Sequence, residues 1–160
     1  MRISLSATVE ATAHELFSWW TDYGQEDSVT NRYMSATRNI ISKEGNVVTM
    51  EDTFTRPLKF VDRTVARIIP PGKVMFESTS RIWHVRGTYT ITDEEGKARI
   101  DGSIEIEPKG WWSIPLSLPP ARWRIRKAIE FDMREHMKQF AESMSGTVEG
   151  GEQDGEHKGR

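Results

Sequence analysis

The first part of the chain alternates apolar and polar side chains and then changes to a helical spacing. Apolar side chains stand at every second position over residues 2–9, which predicts a strand with one buried face. Thr12 is followed by Glu15 at the spacing of a capping box, which predicts a helix that begins there and continues to about Tyr23. We expect a short second helix around residues 29–34.

The middle of the chain is a succession of short alternating runs separated by glycine, proline and acidic turn residues. The connections are all of hairpin length, so consecutive strands are expected to pair as an antiparallel meander whose twist curves the sheet. Together with the first strand, the sheet should have seven strands. The six runs predict strands near residues 37–43, 46–55, 58–69, 73–81, 83–92 and 98–107.

The C-terminal part of the chain predicts one long amphipathic helix. A linker over residues 109–118 leads to Pro119, and proline is tolerated in a first helical turn because an amide there has no intrahelical partner. The helix should continue to about Met144. Residues 145–160 are glycine-rich, charged and nearly free of apolar side chains, which predicts a disordered tail after a single domain over residues 1–144. The apolar stripe of the helix consists of Ile125, Ile129, Met133, Met137, Phe140 and Met144.

Charge and composition exclude several classes of protein and site. The 160 residues include 22 lysines and arginines against 24 aspartates and glutamates, so the net charge of −2 offers no basic field for nucleic acid. The sequence has no cysteine, which excludes disulfides and thiolate nucleophiles. The histidines lack metal-ligand spacing and no phosphate-binding glycine motif occurs, so we predict neither metal nor cofactor. No secretory leader and no apolar run of about 20 residues is apparent, which favours a cytoplasmic protein.

The segment from residue 3 to residue 23, ISLSATVEATAHELFSWWTDY, combines a strand, a short turn and a helix that ends near Trp20 and Asp22. In this segment and in the order of the elements that follow, the chain resembles the START-like superfamily, also called SRPBCC, over roughly residues 1–144. That superfamily groups START lipid-transfer domains, relatives of the birch-pollen allergen and polyketide cyclases. The resemblance implies an α+β helix-grip fold, in which a curved sheet wraps around the long C-terminal helix and encloses a mostly apolar cavity.

The leading functional prediction is a carrier or sensor that binds a small hydrophobic molecule, such as a lipid, an isoprenoid or a polyketide-like ring, between the sheet and the long helix. Apolar burial would provide affinity, and one or two polar groups would orient the ligand. Gly87 and Gly102, in mid-strand, indicate either strong curvature of the sheet or room for the ligand. The predicted ligand-binding residues are Met50, Phe54, Phe76, Tyr89, Ile104, Trp112, Ile125, Ile129, Met133 and Met137.

Asp52 is a charged side chain on a strand face that is otherwise apolar. If a turn at residues 56–57 joins two strands, Asp52 faces Val61, and Arg63 lies diagonally across on the same face. A pair of Asp52 with Arg63 is either a polar anchor for a ligand or only a neutralised pair. The alternative to a carrier is a cyclase- or dehydratase-type enzyme with Asp52, Arg63 or Tyr89 as candidate catalytic residues. Because no convergent acid–base pair is apparent, we favour a non-enzymatic function.

Tryptophan and positive charge concentrate just before and within the start of the long helix. Trp111, Trp112 and the cluster from Arg122 to Lys127 suit transient contact with an anionic membrane surface. The same aromatic side chains could instead seal one end of the sheet. A third possibility is an interaction module in which residues 111–125 bind a protein partner.

Overall fold

The computed structural model describes residues 1–23, 29–30, 34–56 and 58–146. Its elements follow the predicted order of a strand, a helix, a strand meander and a long final helix. They are β1 (Arg2–Val9), α1 (Ala13–Trp20), β2 (Val29–Thr30), β3 (Ser35–Glu44), β4 (Val47–Arg56), β5 (Phe60–Ile69), β6 (Lys73–Ser80), β7 (Trp83–Glu94), β8 (Lys97–Pro108), a 3₁₀ turn (Gly110–Trp112), α2 (Ser113–Ser117) and α3 (Pro119–Gly146).

The strands form one antiparallel sheet in the order β1-β8-β7-β6-β5-β4-β3-β2. The predicted meander of six consecutive strands, β3 to β8, is confirmed, and β1 is the seventh long strand, which pairs with β8 at one edge of the sheet. The expected short helix around residues 29–34 is wrong where the structure can test it. Val29–Thr30 instead forms a two-residue strand on the edge of β3, as suits two β-branched residues, while residues 31–33 lie outside the described residues.

Helix α1 begins at the predicted capping box. The amide of Glu15 donates to the Thr12 hydroxyl at 3.2 Å, and the amide of Thr12 donates to the Glu15 carboxylate at 2.8 Å. Leu16 and Phe17 anchor the helix in the core, where their exposed fractions are 0% and 7%. The helix ends at Trp20, so the prediction of its end near Tyr23 was a few residues too long.

The long helix α3 lies with its C-terminal half in a solid core and its N-terminal half over an open space. Met137 and Phe140 are buried together with Leu16 and Ile100 in the main hydrophobic cluster. The predicted linker before α3 contains the 3₁₀ turn and the short helix α2. Residues 147–160, for which a disordered tail is predicted, lie outside the described residues.

No helix within the described ranges combines the length and the apolar character that a membrane span requires. The cytoplasmic location stays a prediction from the sequence.

Candidate ligand cavity

A cavity of about 1010 Å³ lies between the concave face of the sheet and the N-terminal half of α3. Hydrophobic and aromatic side chains dominate its described wall. Its volume is at the upper end of the range typical of small-molecule sites. The predicted residues that lie in this wall are Met50, Phe54, Phe76, Tyr89, Ile104, Ile125, Ile129 and Met133.

Two residues that the sequence predicted as ligand-binding are not among those that line the cavity. Trp112 stacks on Trp111 with ring centroids 4.1 Å apart, outside the cavity wall. Met137 is one helical turn beyond Met133, and this turn carries it past the end of the cavity into the packed core beside Phe140.

The two mid-strand glycines make room for aromatic rings of neighbouring strands. A Cβ atom on Gly87 would lie 2.2 Å from the ring of Phe76, and one on Gly102 would lie 2.8 Å from the ring of Tyr89. The Phe76 and Tyr89 rings stack on each other at 5.6 Å and form part of the cavity wall. The glycines therefore shape the cavity by allowing these two rings to lie flat against the sheet.

A transverse row of polar residues crosses the concave face. Arg38, Asp52, Asp62 and Ser80 are successive register partners on β3, β4, β5 and β6. The predicted pair of Asp52 with Arg63 is wrong, because Arg63 pairs with Glu51 and is exposed on the opposite face. The hairpin explains the error. Because Phe54 pairs with Phe60, Asp52 is opposite Asp62 and not Val61, so the side chains of β5 point to the opposite faces from those assumed.

The actual partner of Asp52 is Arg38. The guanidinium donates two hydrogen bonds to the carboxylate, from Nε at 2.8 Å and from Nη2 at 3.1 Å. The exposed fractions of the two side chains are 20% and 13%, so the pair lies largely out of water. Both residues line the cavity. Asp52 is thus held and neutralised by a bidentate ion pair.

Asp62, which sequence reasoning did not identify, is the most deeply buried carboxyl group in the described wall, with an exposed fraction of 5%. Its Oδ2 accepts a hydrogen bond from the indole Nε1 of Trp83 at 3.0 Å. Its Oδ1 is buried and has no hydrogen-bond partner among the described residues. Burial raises the pKa of Asp62, while the hydrogen bond from the Trp83 indole and the nearby Ser78 hydroxyl oppose that rise.

Helix α3 brings a further acidic group, Asp132, against the same region of the cavity. Burial raises its pKa, and the nearby charges of His136 and Arg38 act in the opposite direction. His136 Nδ1 lies 3.6 Å from the Asp132 carboxylate. Among the described residues, no three acidic or histidine side chains group as they would around a metal ion. The arrangement is therefore one of individual polar groups in an apolar cavity.

Tyr89 lies under α1 and α3, where Trp20 contacts its ring edge-on at 5.1 Å. Burial is the main cause that raises the pKa of its phenol, and the negative charge of Asp132 acts in the same direction. The side chain is therefore a neutral phenol that can donate a hydrogen bond into the cavity.

Exposed members of the cavity lining mark its mouth. The exposed fractions of Leu58 and Trp123 are 41% and 56%, and Arg56 and Arg124 beside them are also exposed. Large apolar side chains continue outward from the mouth along the linker before α3. They are Trp111, Ile114 and Leu118, with exposed fractions of 67%, 72% and 54%.

Comparison with solved structures identifies the fold. TTHA0849 from Thermus thermophilus is 10% identical, with a TM-score of 0.72 over 91% of this chain and 99% of that one. Zhui aromatase/cyclase from a Streptomyces species is 11% identical, with a TM-score of 0.58 over 93% of each chain. A START superfamily protein from Mycobacterium smegmatis is 12% identical, with a TM-score of 0.57 over 92% of this chain and 98% of that one.

This chain has the START-like helix-grip fold. The expectation drawn from its opening segment and element order is confirmed. No protein-family model matches the sequence, and no curated protein is significantly similar to it. At 10–12% identity the START-like likeness concerns the fold, and the chemistry must be argued from the residues of this cavity.

Proposed function

We propose that this protein binds a small, mainly hydrophobic molecule in the cavity and carries or senses it. The observation that supports this proposal is the open space of about 1010 Å³ between the sheet and α3. Protein interiors are normally close-packed, so a concave space of this size lined mainly by apolar side chains favours a small-molecule site. Burial of apolar ligand surface contributes roughly 25 cal/mol per Å², which provides affinity without specific contacts.

An alanine in the cavity wall and an alanine in the solid core provide a matched test. Both alanines belong to the main buried cluster, with exposed fractions of 1% for Ala66 and 0% for Ala98, and of the two only Ala66 also lines the cavity. Ala66→Phe should fill part of the space, change the free energy of unfolding by less than about 1 kcal/mol, and weaken binding of the apolar probe 2-methoxynaphthalene about tenfold or more. Ala98→Phe should lower the free energy of unfolding by about 2 kcal/mol or more.

Titration of the probe by tryptophan fluorescence and urea unfolding measure these two effects. Organic extraction and native mass spectrometry of the purified protein should in addition detect a copurifying hydrophobic molecule. The proposal is contradicted if neither the probe nor any extracted lipid or polyketide-like molecule binds, or if Ala66→Phe destabilises the protein as strongly as Ala98→Phe.

An enzyme of cyclase or dehydratase type is the second candidate. Tyr89 supports it, because a neutral phenol in an apolar cavity can polarise a ligand carbonyl. The fold similarity to an aromatase/cyclase is consistent with this candidate. Asp52 is a poor general base because it is already held by Arg38 at 2.8 Å. Tyr89→Phe should abolish turnover of a polyketide-like substrate while the affinity of 2-methoxynaphthalene stays within about twofold, and unchanged turnover would reject the assignment.

Contact of the cavity mouth with an anionic membrane surface is a further part of the proposal. The exposed side chains of Trp111, Ile114 and Trp123 support it, together with Arg122 and Arg124 next to them. The predicted basic cluster offers less free positive charge to a membrane than its length suggests, because Arg126 and Lys127 both pair with Glu130 on the same helix.

Vesicles of phosphatidylcholine with about one-fifth phosphatidylserine test this contact. Trp111→Ala combined with Trp123→Ala should weaken binding about tenfold, because two large aromatic side chains no longer insert at the interface. Ile41→Ala removes an exposed apolar side chain from β3, which four strands separate from β8 in the sheet order, and should have no effect. Equal flotation of all three proteins would reject the membrane contact and favour a protein partner for this surface.

A further inference from the structure

The Asp62 carboxylate is a hydrogen-bond acceptor in the cavity wall that the protein uses only in part. One oxygen accepts from Trp83 at 3.0 Å, and the other has no partner among the described residues. An ionised carboxylate offers about four lone-pair positions, and a buried acceptor without a donor destabilises the folded state. A ligand group that donates a hydrogen bond to this carboxylate would offset that destabilisation.

The charges around Asp62 do not neutralise it. Arg38 is committed to Asp52 by two hydrogen bonds, and His136 lies beside Asp132 on α3. The remaining cation near Asp62 in the described structure is Lys109, and its ammonium group donates to the backbone carbonyl of Ser80 at 3.0 Å. The buried part of the cavity therefore has an excess of acidic over basic side chains.

Trp83 holds the carboxylate in place. Its ring contacts Phe60 edge-on at 5.1 Å, and Phe60 stacks on Phe54 at 4.5 Å. All three aromatic residues line the cavity. The acceptor is thus fixed at the edge of an aromatic cluster that suits a flat apolar ligand body, with the polar contact directly beside it.

We propose that the ligand of this cavity carries a hydrogen-bond donor, such as an alcohol or phenol hydroxyl, that binds the Asp62 carboxylate, and that a ligand carboxylate is excluded from this buried position. This inference rests on the proposed function of the cavity and specifies the class of ligand. The donor satisfies the buried acceptor, whereas a second carboxylate would be placed beside like charges in a medium of low dielectric constant. A carboxylate attached directly to the ring system that occupies this part of the cavity is therefore unfavourable, and a hydroxyl at the same position is favourable.

Three probes with the same ring system test the donor requirement. They are 2-naphthol, which has a hydroxyl donor, 2-methoxynaphthalene, which has none, and 2-naphthoate, which is an anion. At neutral pH the wild-type protein should bind naphthol about tenfold more tightly than the ether, after correction for their partition between water and an apolar solvent. Naphthoate should bind more weakly than either.

Asp62→Asn keeps the shape of the side chain and can still accept from Trp83, but it removes the charge and presents an amide donor to the cavity. In this variant the preference for naphthol over the ether should fall below about threefold, and the affinity for naphthoate should rise. Asp101→Asn is the matched control, because it removes one negative charge from a side chain that pairs with Arg99 and does not line the cavity. It should retain the wild-type order of affinities.

The outcomes separate this inference from the proposed function. If naphthol and the ether bind wild-type protein equally well, the donor requirement is overturned while hydrophobic binding stands. If naphthoate binds best, the exclusion of anions is wrong. If none of the three probes binds, the proposed function itself fails at this cavity. Should Asp62→Asn not fold, the comparison of the three probes on wild-type protein still decides, because it needs no variant.

Discussion

Asp52 and Asp62 have the same side chain, stand directly opposite each other on adjacent strands and face the same cavity. Their environments nevertheless differ completely. Asp52 receives two hydrogen bonds from Arg38, the residue opposite it on its other side. Asp62 receives one from the uncharged indole of Trp83, and the residue opposite it on its other side is Ser80.

The residue opposite a buried acid on the adjacent strand therefore decides whether the carboxylate is neutralised or can still accept a hydrogen bond from a ligand. A carboxylate with a bidentate guanidinium partner is a structural element, because both of its oxygens are occupied and its charge is balanced. A carboxylate with one neutral donor retains the capacity to bind something else. Both acids lie on the concave face, so burial alone does not distinguish Asp52, which stabilises the sheet, from Asp62, which is proposed to bind the ligand.

The largest expected effect on stability comes from breaking the ion pair between Asp52 and Arg38. Arg38→Met should lower the free energy of unfolding by about 3 kcal/mol, because it leaves Asp52 largely buried without its cation and next to Asp62. Urea unfolding at neutral pH measures the change. The double variant Arg38→Met with Asp52→Met should recover most of the loss, since an apolar pair has no charge to compensate. A double variant as unstable as the single one would mean that Arg38 acts through other contacts.

A smaller effect on stability, of opposite sign, is expected at Asp62, which has no cationic partner like Arg38 among the described residues. Burial raises the pKa of Asp62 above its ordinary value of 3.8, so its ionisation weakens the folded state as the pH rises through the raised value. Asp62→Asn should therefore stabilise the protein by about 1 kcal/mol at neutral pH. The gain should vanish below about pH 3.8, where the carboxyl is protonated in both folded and unfolded chains.

Unfolding of wild type and Asp62→Asn in urea across this pH range measures the difference. Asp101→Asn again serves as the control, and no comparable gain is expected from it. A gain at Asp62 that does not change with pH would show that packing rather than charge is responsible.

The smallest expected effect concerns the hydroxyl groups beside Asp62. The Thr64 hydroxyl donates to the Ser78 hydroxyl at 3.0 Å, and both side chains are buried. Ser78→Ala should destabilise the protein by about 0.5 kcal/mol, because it leaves the Thr64 hydroxyl without its acceptor. It also removes a group that lowers the pKa of Asp62, so the pH-dependent gain of Asp62→Asn should become larger in the Ser78→Ala background. Thr64→Val combined with Ser78→Ala should be nearly neutral.

Local patterns in the sequence determined the elements and their order. The alternation over residues 2–9, the capping box at Thr12 and the amphipathic pattern after Pro119 each report a periodicity or a cap within one segment. The hairpin-length connections then restrict the strands to a meander. These features depend on residues close in the chain, and for this reason the fold and eight of the cavity residues were predictable.

The tertiary structure alone decided which polar residues meet. The register of the hairpin between β4 and β5 differs by one residue from the expected one, and it therefore places Asp62 and not Arg63 on the concave face. Arg38 reached Asp52 from another strand, and Asp132 came from a helix 80 positions further along the chain than Asp52. Alternation along a strand predicts which residues share a face but not how far the neighbouring strand slides, so the partner of a buried charge is set by pairing across the sheet.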